Sequence, residues 1–240
     1  MQSKLKQKKR LIILIIVIIF FLIVSFLGYR AYLASQAKEN ARIQEEKRIE
    51  TAMQLQAEEQ KENYNFTMDV VRFINEIHGA EEFVEFMPIK TSDDYKPAYF
   101  IREKYDNARK YIEKWEDTDD KTKKTAILEM ESTLDDLDSF VNSWLNAVNN
   151  QKMSELDLAV VKLKAARKGV GLITGPIVLG EEPLSFTVEQ KEKIRDFVLS
   201  FDWVVEAEKE KNEYLKENDS LSEFTGNSFF FPLLVLTNLM

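Results

Sequence analysis

LIILIIVIIFFLIVSFL, residues 11–27, is seventeen residues without a charged side chain, and Gly28 and Tyr29 carry it a little further. At about 1.5 Å rise per residue, a helix of this length just crosses a hydrocarbon core of roughly 30 Å. This stretch decides the architecture: a membrane helix, with everything after it carried by that helix. Ser25 is its one polar side chain. It has neither a GxxxG pair for close helix contact nor an ionisable group for an ion or proton path. It reads as an anchor, not a channel.

Lys4, Lys6, Lys8, Lys9 and Arg10 lie just before the run, and no acidic residue is among them. The positive-inside rule then makes residues 1–10 a cytoplasmic basic N-terminus, 11–29 the transmembrane anchor, and the remainder extracytoplasmic. Tyr29 and Tyr32 suit the outer headgroup layer, where a ring is half buried and its hydroxyl stays wet. A cleaved signal peptide would have an apolar core of about 7–15 residues and a small-x-small exit. Here the core is longer, and Tyr29, Arg30 and Tyr32 crowd the exit. The expected location is the cell membrane, in single-pass form, with lipid bilayer contact through residues 11–29. No cysteine is present to take a lipid or to form a disulfide.

The 240 residues carry a net charge of −8, but the basic end conceals how acidic the rest is. Beyond residue 30 there are 27 cations and 41 carboxylates, a balance of −14. That sign argues against nucleic acid as a partner, because phosphate contacts dominate such binding. Only seven glycines and five prolines occur, and four of the glycines fall between 169 and 180. Long segments rich in Glu, Lys, Ala, Leu and Gln, with no alternating strand pattern, predict an all-α fold. The expected form is a transmembrane helix, a helical stalk, and an extracytoplasmic up-and-down helical bundle.

Residues 30–64 lack Gly and Pro and hold no heptad register, so they read as a polar, helical stalk. The bundle is expected over 65–228. Phe66, Val70, Phe73, Ile74 and Ile77 form one apolar helical face, and His78 and Gly79 are expected to end it, as a basic residue and a glycine cap. A short helix carrying Phe83, Val84 and Phe86 would stop before Pro88. The next helix should open near Asp93 and Asp94 with Pro97 in its first turn. Its apolar positions are Ile101, Tyr105, Ala108, Ile112 and Trp115.

The cleanest repeat follows: Ile127, Met130, Leu134, Leu137, Val141, Trp144 and Val148, widened by Phe140 and Leu145, with a turn at Asn149 and Asn150. Lys123 reads as a surface residue. Ser154 and Asp157 suggest a capping box for a helix with Leu156, Val160 and Leu163, ending near Lys168. GVGLITGPIVLGEEP, residues 169–183, is expected to interrupt the helices. Thr187 and Gln190 form a second capping box, opening a helix with Ile194, Phe197, Val198, Phe201 and Val205.

Little chemistry can be assembled. His78 is the single histidine, and no GxSxG elbow, EF-hand spacing, Walker lysine or complete GxGxxG occurs. The carboxylate pairs Asp93–Asp94, Asp119–Asp120, Asp135–Asp136 and Glu181–Glu182 are adjacent in sequence, whereas glycosidase chemistry needs two carboxylates across a cleft. We therefore expect no catalytic residue, no cofactor and no metal. Two segments are apolar enough to act as docking surfaces: Leu172, Ile173, Ile177, Val178 and Leu179 in the glycine-containing stretch, and Phe229, Phe230, Phe231, Leu233 and Leu234 in the apolar C-terminal segment 229–240. The bland reading buries both against the bundle, and we expect 229–240 to dock on it, against the 170–179 connection.

These readings converge on a non-enzymatic interaction or scaffold module of the cell envelope, acting on a protein partner. The alternative is an extracytoplasmic sensor that binds a small ligand between helices. With ten residues on the cytoplasmic side, such a sensor would work through a membrane partner.

Overall fold

The computed structural model describes residues 2–86, 95–179 and 183–206, with Lys209 and Glu213. These residues are almost entirely helical, and no strand occurs among them. Among the described residues five helices follow one another: α1 (Gln2–Phe86), α2 (Lys96–Glu113), α3 (Lys121–Asn150), α4 (Met153–Leu179) and α5 (Val188–Leu199). The chain divides into two compact units, Met1–Ala57 and Glu58–Met240.

In the first unit α1 carries a segment long and apolar enough to cross a membrane, near the N-terminus. Its side chains from Ile18 onward are exposed, with Phe20, Phe21 and Leu22 each about two-thirds open. Beyond it, the polar part of α1 is held by local pairs. Arg42 reaches Glu39 at 3.2 Å and Glu46 at 3.5 Å, all three groups being exposed. Such pairs contribute about 0.3–0.5 kcal/mol each, so helix propensity does most of the stabilising.

The second unit is built on the other half of α1. Phe66, Val70, Phe73, Ile74 and Ile77 are fully buried, as their spacing predicts, but so are Thr67 and Val71, with Met68 and Asp69 nearly so. Burial on several faces means that α1 is packed from several sides. Lys104 of α2 reaches Glu76 at 2.8 Å, Lys123 of α3 reaches Glu62 at 2.6 Å, and Gln190 of α5 donates to the Gln60 carbonyl.

The helix does not stop at His78 and Gly79 but continues to Phe86. His78 is buried and stacks on Trp203, with ring centroids 4.1 Å apart. Gly79 faces the Lys104 side chain, which a Cβ there would meet at 3.3 Å. Histidine and glycine at this point serve side-chain packing rather than a helix end. Phe83, Val84 and Phe86 belong to this same helix rather than to a new short one, and Pro88 lies outside the described residues.

Helix α2 starts after Tyr95 with Pro97 in its first turn, while Asp93 and Asp94 lie outside the described residues. Tyr95 donates to Asn149 at 3.0 Å and Arg102 pairs with Asp138 at 2.7 Å, so α2 and α3 run antiparallel. In α3 Asp120 accepts from the Lys123 N–H at 3.0 Å, which satisfies one of the orphan donors at the helix start. All seven positions of its apolar repeat are buried. The helix closes one residue later than expected, at Gln151, which takes the left-handed conformation (φ 53°, ψ 39°).

Helix α4 returns antiparallel along α3, with Lys162 on Asp136 at 3.3 Å. It begins at Met153, so Ser154 lies inside the first turn and does not cap it. The larger correction is at its other end. The stretch from Gly169 does not break the helix: α4 runs through Gly169, Gly171, Gly175 and Pro176 to Leu179. At Gly169 the physical reason is a close helix approach. A Cβ there would sit 2.5 Å from Thr133 Oγ1, which is buried and donates to the Glu129 carbonyl at 2.8 Å. The glycine is selected by the neighbour across the interface, not by a turn.

The Leu184 N–H donates to the Ile177 carbonyl at 3.1 Å, satisfying one acceptor at the α4 end. The predicted capping box of α5 is present in both directions: Thr187 N–H to Gln190 Oε1 at 2.9 Å, and Gln190 N–H to Thr187 Oγ1 at 3.2 Å. Helix α5 stops at Leu199. In the helical turn that follows, Val204 is buried and Val205 exposed, so the expected apolar face does not continue to Val205.

Candidate functional site

Of the residues expected to dock a partner, the three with described side chains do not share one surface. Ile173 and Ile177 are fully buried and belong to the core, while Leu172 is 60% exposed. Nothing can be placed at the side chains of Val178 and Leu179, and Phe229, Phe230, Phe231, Leu233 and Leu234 lie outside the described residues. Leu172 is not alone on its helix. Leu158 and Val161 are also open to solvent, at 45% and 58%. At 100° per residue, positions 158, 161 and 172 fall within about 60° of one another, along about 21 Å of helix. The core positions Leu156, Ala159, Leu163, Ala166, Ile173 and Ile177 occupy another side of the same helix. Helix α4 thus has two apolar stripes, one packed and one exposed. The sequence contains both, but overlapping stripes blur the 3.6-residue period.

A second feature surrounds Asp69. Its carboxylate is 4% exposed and accepts three donors: Arg72 Nη1 at 2.9 Å, Lys114 Nζ at 3.0 Å and Trp115 Nε1 at 3.2 Å. The Arg72 guanidinium also lies over the Phe197 ring, 5.5 Å from its centroid. Trp115 packs edge-on against Phe66 with centroids 5.2 Å apart. Burying a carboxylate is costly unless it is paired and hydrogen-bonded, and here both requirements are met. Beside it opens a cleft of about 350 Å³ lined by Tyr64, Asn65, Met68, Asp69, Arg72, Lys114 and Trp115. The sequence shows the Asp69–Arg72 spacing on one helix. Lys114 and Trp115 arrive from 45 residues away, and no local pattern announces them.

Lys123, expected at the surface, has a side chain only 3% exposed. Its stem is buried and its ammonium sits 5.9 Å from the Trp115 ring centroid while pairing with Glu62. A long lysine can cover apolar surface and still place its charge at a partner. The adjacent carboxylates divide their work: Asp120 caps α3, Asp136 pairs with Lys162, and Asp119 is fully exposed near Lys124. Glu181 and Glu182 lie outside the described residues.

Compared with protein-family models, with curated proteins and with solved structures, the chain matches none of them. Its function must be argued from these residues.

Proposed function

We propose that this protein is a non-enzymatic, single-pass membrane protein whose helices from residue 58 onward form an extracytoplasmic up-and-down bundle serving as an interaction or scaffold module of the cell envelope. The observation that carries the reading is the exposed stripe Leu158, Val161 and Leu172 on a helix whose opposite needs are already met by the core. Three large apolar side chains aligned on a strongly acidic chain form a surface that a partner's amphipathic helix can cover. The apolar N-terminal helix supports membrane attachment, and the basic residues before it support the inward N-terminus. Residues 229–240 are a second candidate contact, either with this domain or with the partner.

The test is purification of the intact protein from membranes beside a Leu158→Glu, Val161→Glu, Leu172→Glu variant. The reading expects a protein retained in fixed ratio by the parent chain and lost from the variant, with the helical spectrum unchanged. A chain that purifies alone in both forms contradicts it. The alternative, a ligand-binding sensor that works through a membrane partner, draws on the Asp69 cleft and is distinguished by partner retention that changes when ligand is added.

A further inference from the structure

We propose that the cleft beside Asp69 binds a small organic carboxylate, held by Arg72 and Lys114 with its apolar body against Tyr64, Met68 and Trp115. This rests on the cleft alone and is independent of what covers α4.

The charge balance points to an anion. One buried carboxylate needs one cation, yet Asp69 holds two, and the Trp115 N–H besides. Among the described residues neither Arg72 nor Lys114 has a second carboxylate partner, so within those residues the group carries one surplus positive charge. Lys123, the nearby cation, is engaged elsewhere by Glu62 at 2.6 Å. A net positive group stands out on a region whose overall balance is −14.

Geometry supplies the second argument. Both cations are hydrogen-bonded to the two oxygens of one carboxylate, which keeps their charged nitrogens within about 8 Å of each other. Asp69 is almost fully buried, whereas Arg72 and Lys114 are 42% and 59% exposed. Asp69 therefore acts as a fixed post, orienting two donors whose remaining N–H groups are open to solvent. A guanidinium offers five donors and an ammonium three, so each can hold Asp69 and still bind a second acceptor.

The walls and the size set the class. Tyr64 and Trp115 are aromatic, Met68 adds a polarizable thioether, and about 350 Å³ is the small end of the range for ligand pockets. A single surplus charge matches a monoanion better than a phosphate dianion. A carboxylate with a ring or short alkyl body satisfies the charge and the walls together.

The experiment uses the full chain in lipid nanodiscs and isothermal titration calorimetry with phenylacetate, phenylacetamide and inorganic phosphate. Phenylacetate is expected to saturate with Kd of about 1 mM or tighter. Arg72→Gln or Lys114→Gln should each weaken it by about tenfold or more, since a charge-assisted hydrogen bond is lost. Neutral phenylacetamide should bind weaker than phenylacetate by a similar factor. Lys114 is well exposed, so its variant decides the matter even if Arg72→Gln unfolds. No saturation by phenylacetate, or binding that ignores Lys114→Gln, overturns the proposal. Phosphate binding as tightly as phenylacetate also overturns it, because the aromatic walls would then contribute nothing.

Discussion

Helix α1 lives in two environments. Residues 18–59 are exposed, apolar and polar positions alike, whereas most of residues 63–80 are buried. The same backbone geometry is therefore stabilised by different means. In the exposed half, intrinsic propensity and a few surface pairs hold the polar stretch, and the apolar stretch presents side chains that water does not favour. Each such side chain is worth about 1.5–3 kcal/mol when buried, so the exposed apolar positions from Ile18 to Tyr29 are ones that water disfavours. In the second half, tertiary packing dominates, and helix and core are one structure.

The comparison is broken most directly by truncating one side chain in each half. Phe73→Ala, at 0% exposure, should lower stability by about 3–5 kcal/mol. Leu55→Ala, at 61% exposure, should change it by no more than about 0.5 kcal/mol. Thermal or denaturant unfolding followed by helical circular dichroism reads both. Equal losses at the two positions would mean that residues around Leu55 are packed after all.

A smaller effect separates α3 from α4. Gly169→Ala improves helix propensity by about 1 kcal/mol but drives a methyl onto Thr133 Oγ1, and overpacking typically costs about 1–3 kcal/mol. The expected result is net destabilisation, relieved when Thr133→Ala is added. A stabilised single variant would show that α4 can move away from α3 at little cost.

These two helices also show what sequence conveys. The α3 repeat is local and one-sided, and each of its positions proved buried. Capping at Thr187 is likewise short-range and was legible in full. Gly169 is misleading in the sequence because its role depends on Thr133, 36 residues earlier, and a breaker residue looks the same whether it ends a helix or admits a neighbour. His78 and Gly79 were misread for that reason too: Trp203 and Lys104 explain them, and both are distant in sequence. The Asp69 cluster is a non-local assembly of one helix with the end of another. Composition indicated an anchor and a helical fold; it could not indicate which charges would meet.

The smallest effect concerns α5. The hydrogen bond from Lys193, then its charge, holds the Glu189 carboxyl below its usual range, and the Lys193 ammonium is correspondingly raised. A depressed carboxylate stabilises the fold above its unfolded-state value and loses that contribution as pH falls through the lowered folded value; the raised lysine loses its own as pH climbs through its raised value. Both groups are exposed, so Glu189→Gln should cost only a slight fall in melting temperature near neutral pH, vanishing in acid. A difference that persists at low pH would assign the effect to helix capping rather than to the pair.

The central claim is that residues 11–29 cross a membrane and the core-forming region lies outside it. Because the chain has no cysteine, single Lys6→Cys and Lys124→Cys variants can be labelled cleanly with a membrane-impermeant maleimide in intact cells. Lys124 is exposed and lies in the second unit, so its cysteine should label from outside, while that at position 6 should label only after the membrane is permeabilised. The reverse pattern, or equal protection of both sites, would contradict the account.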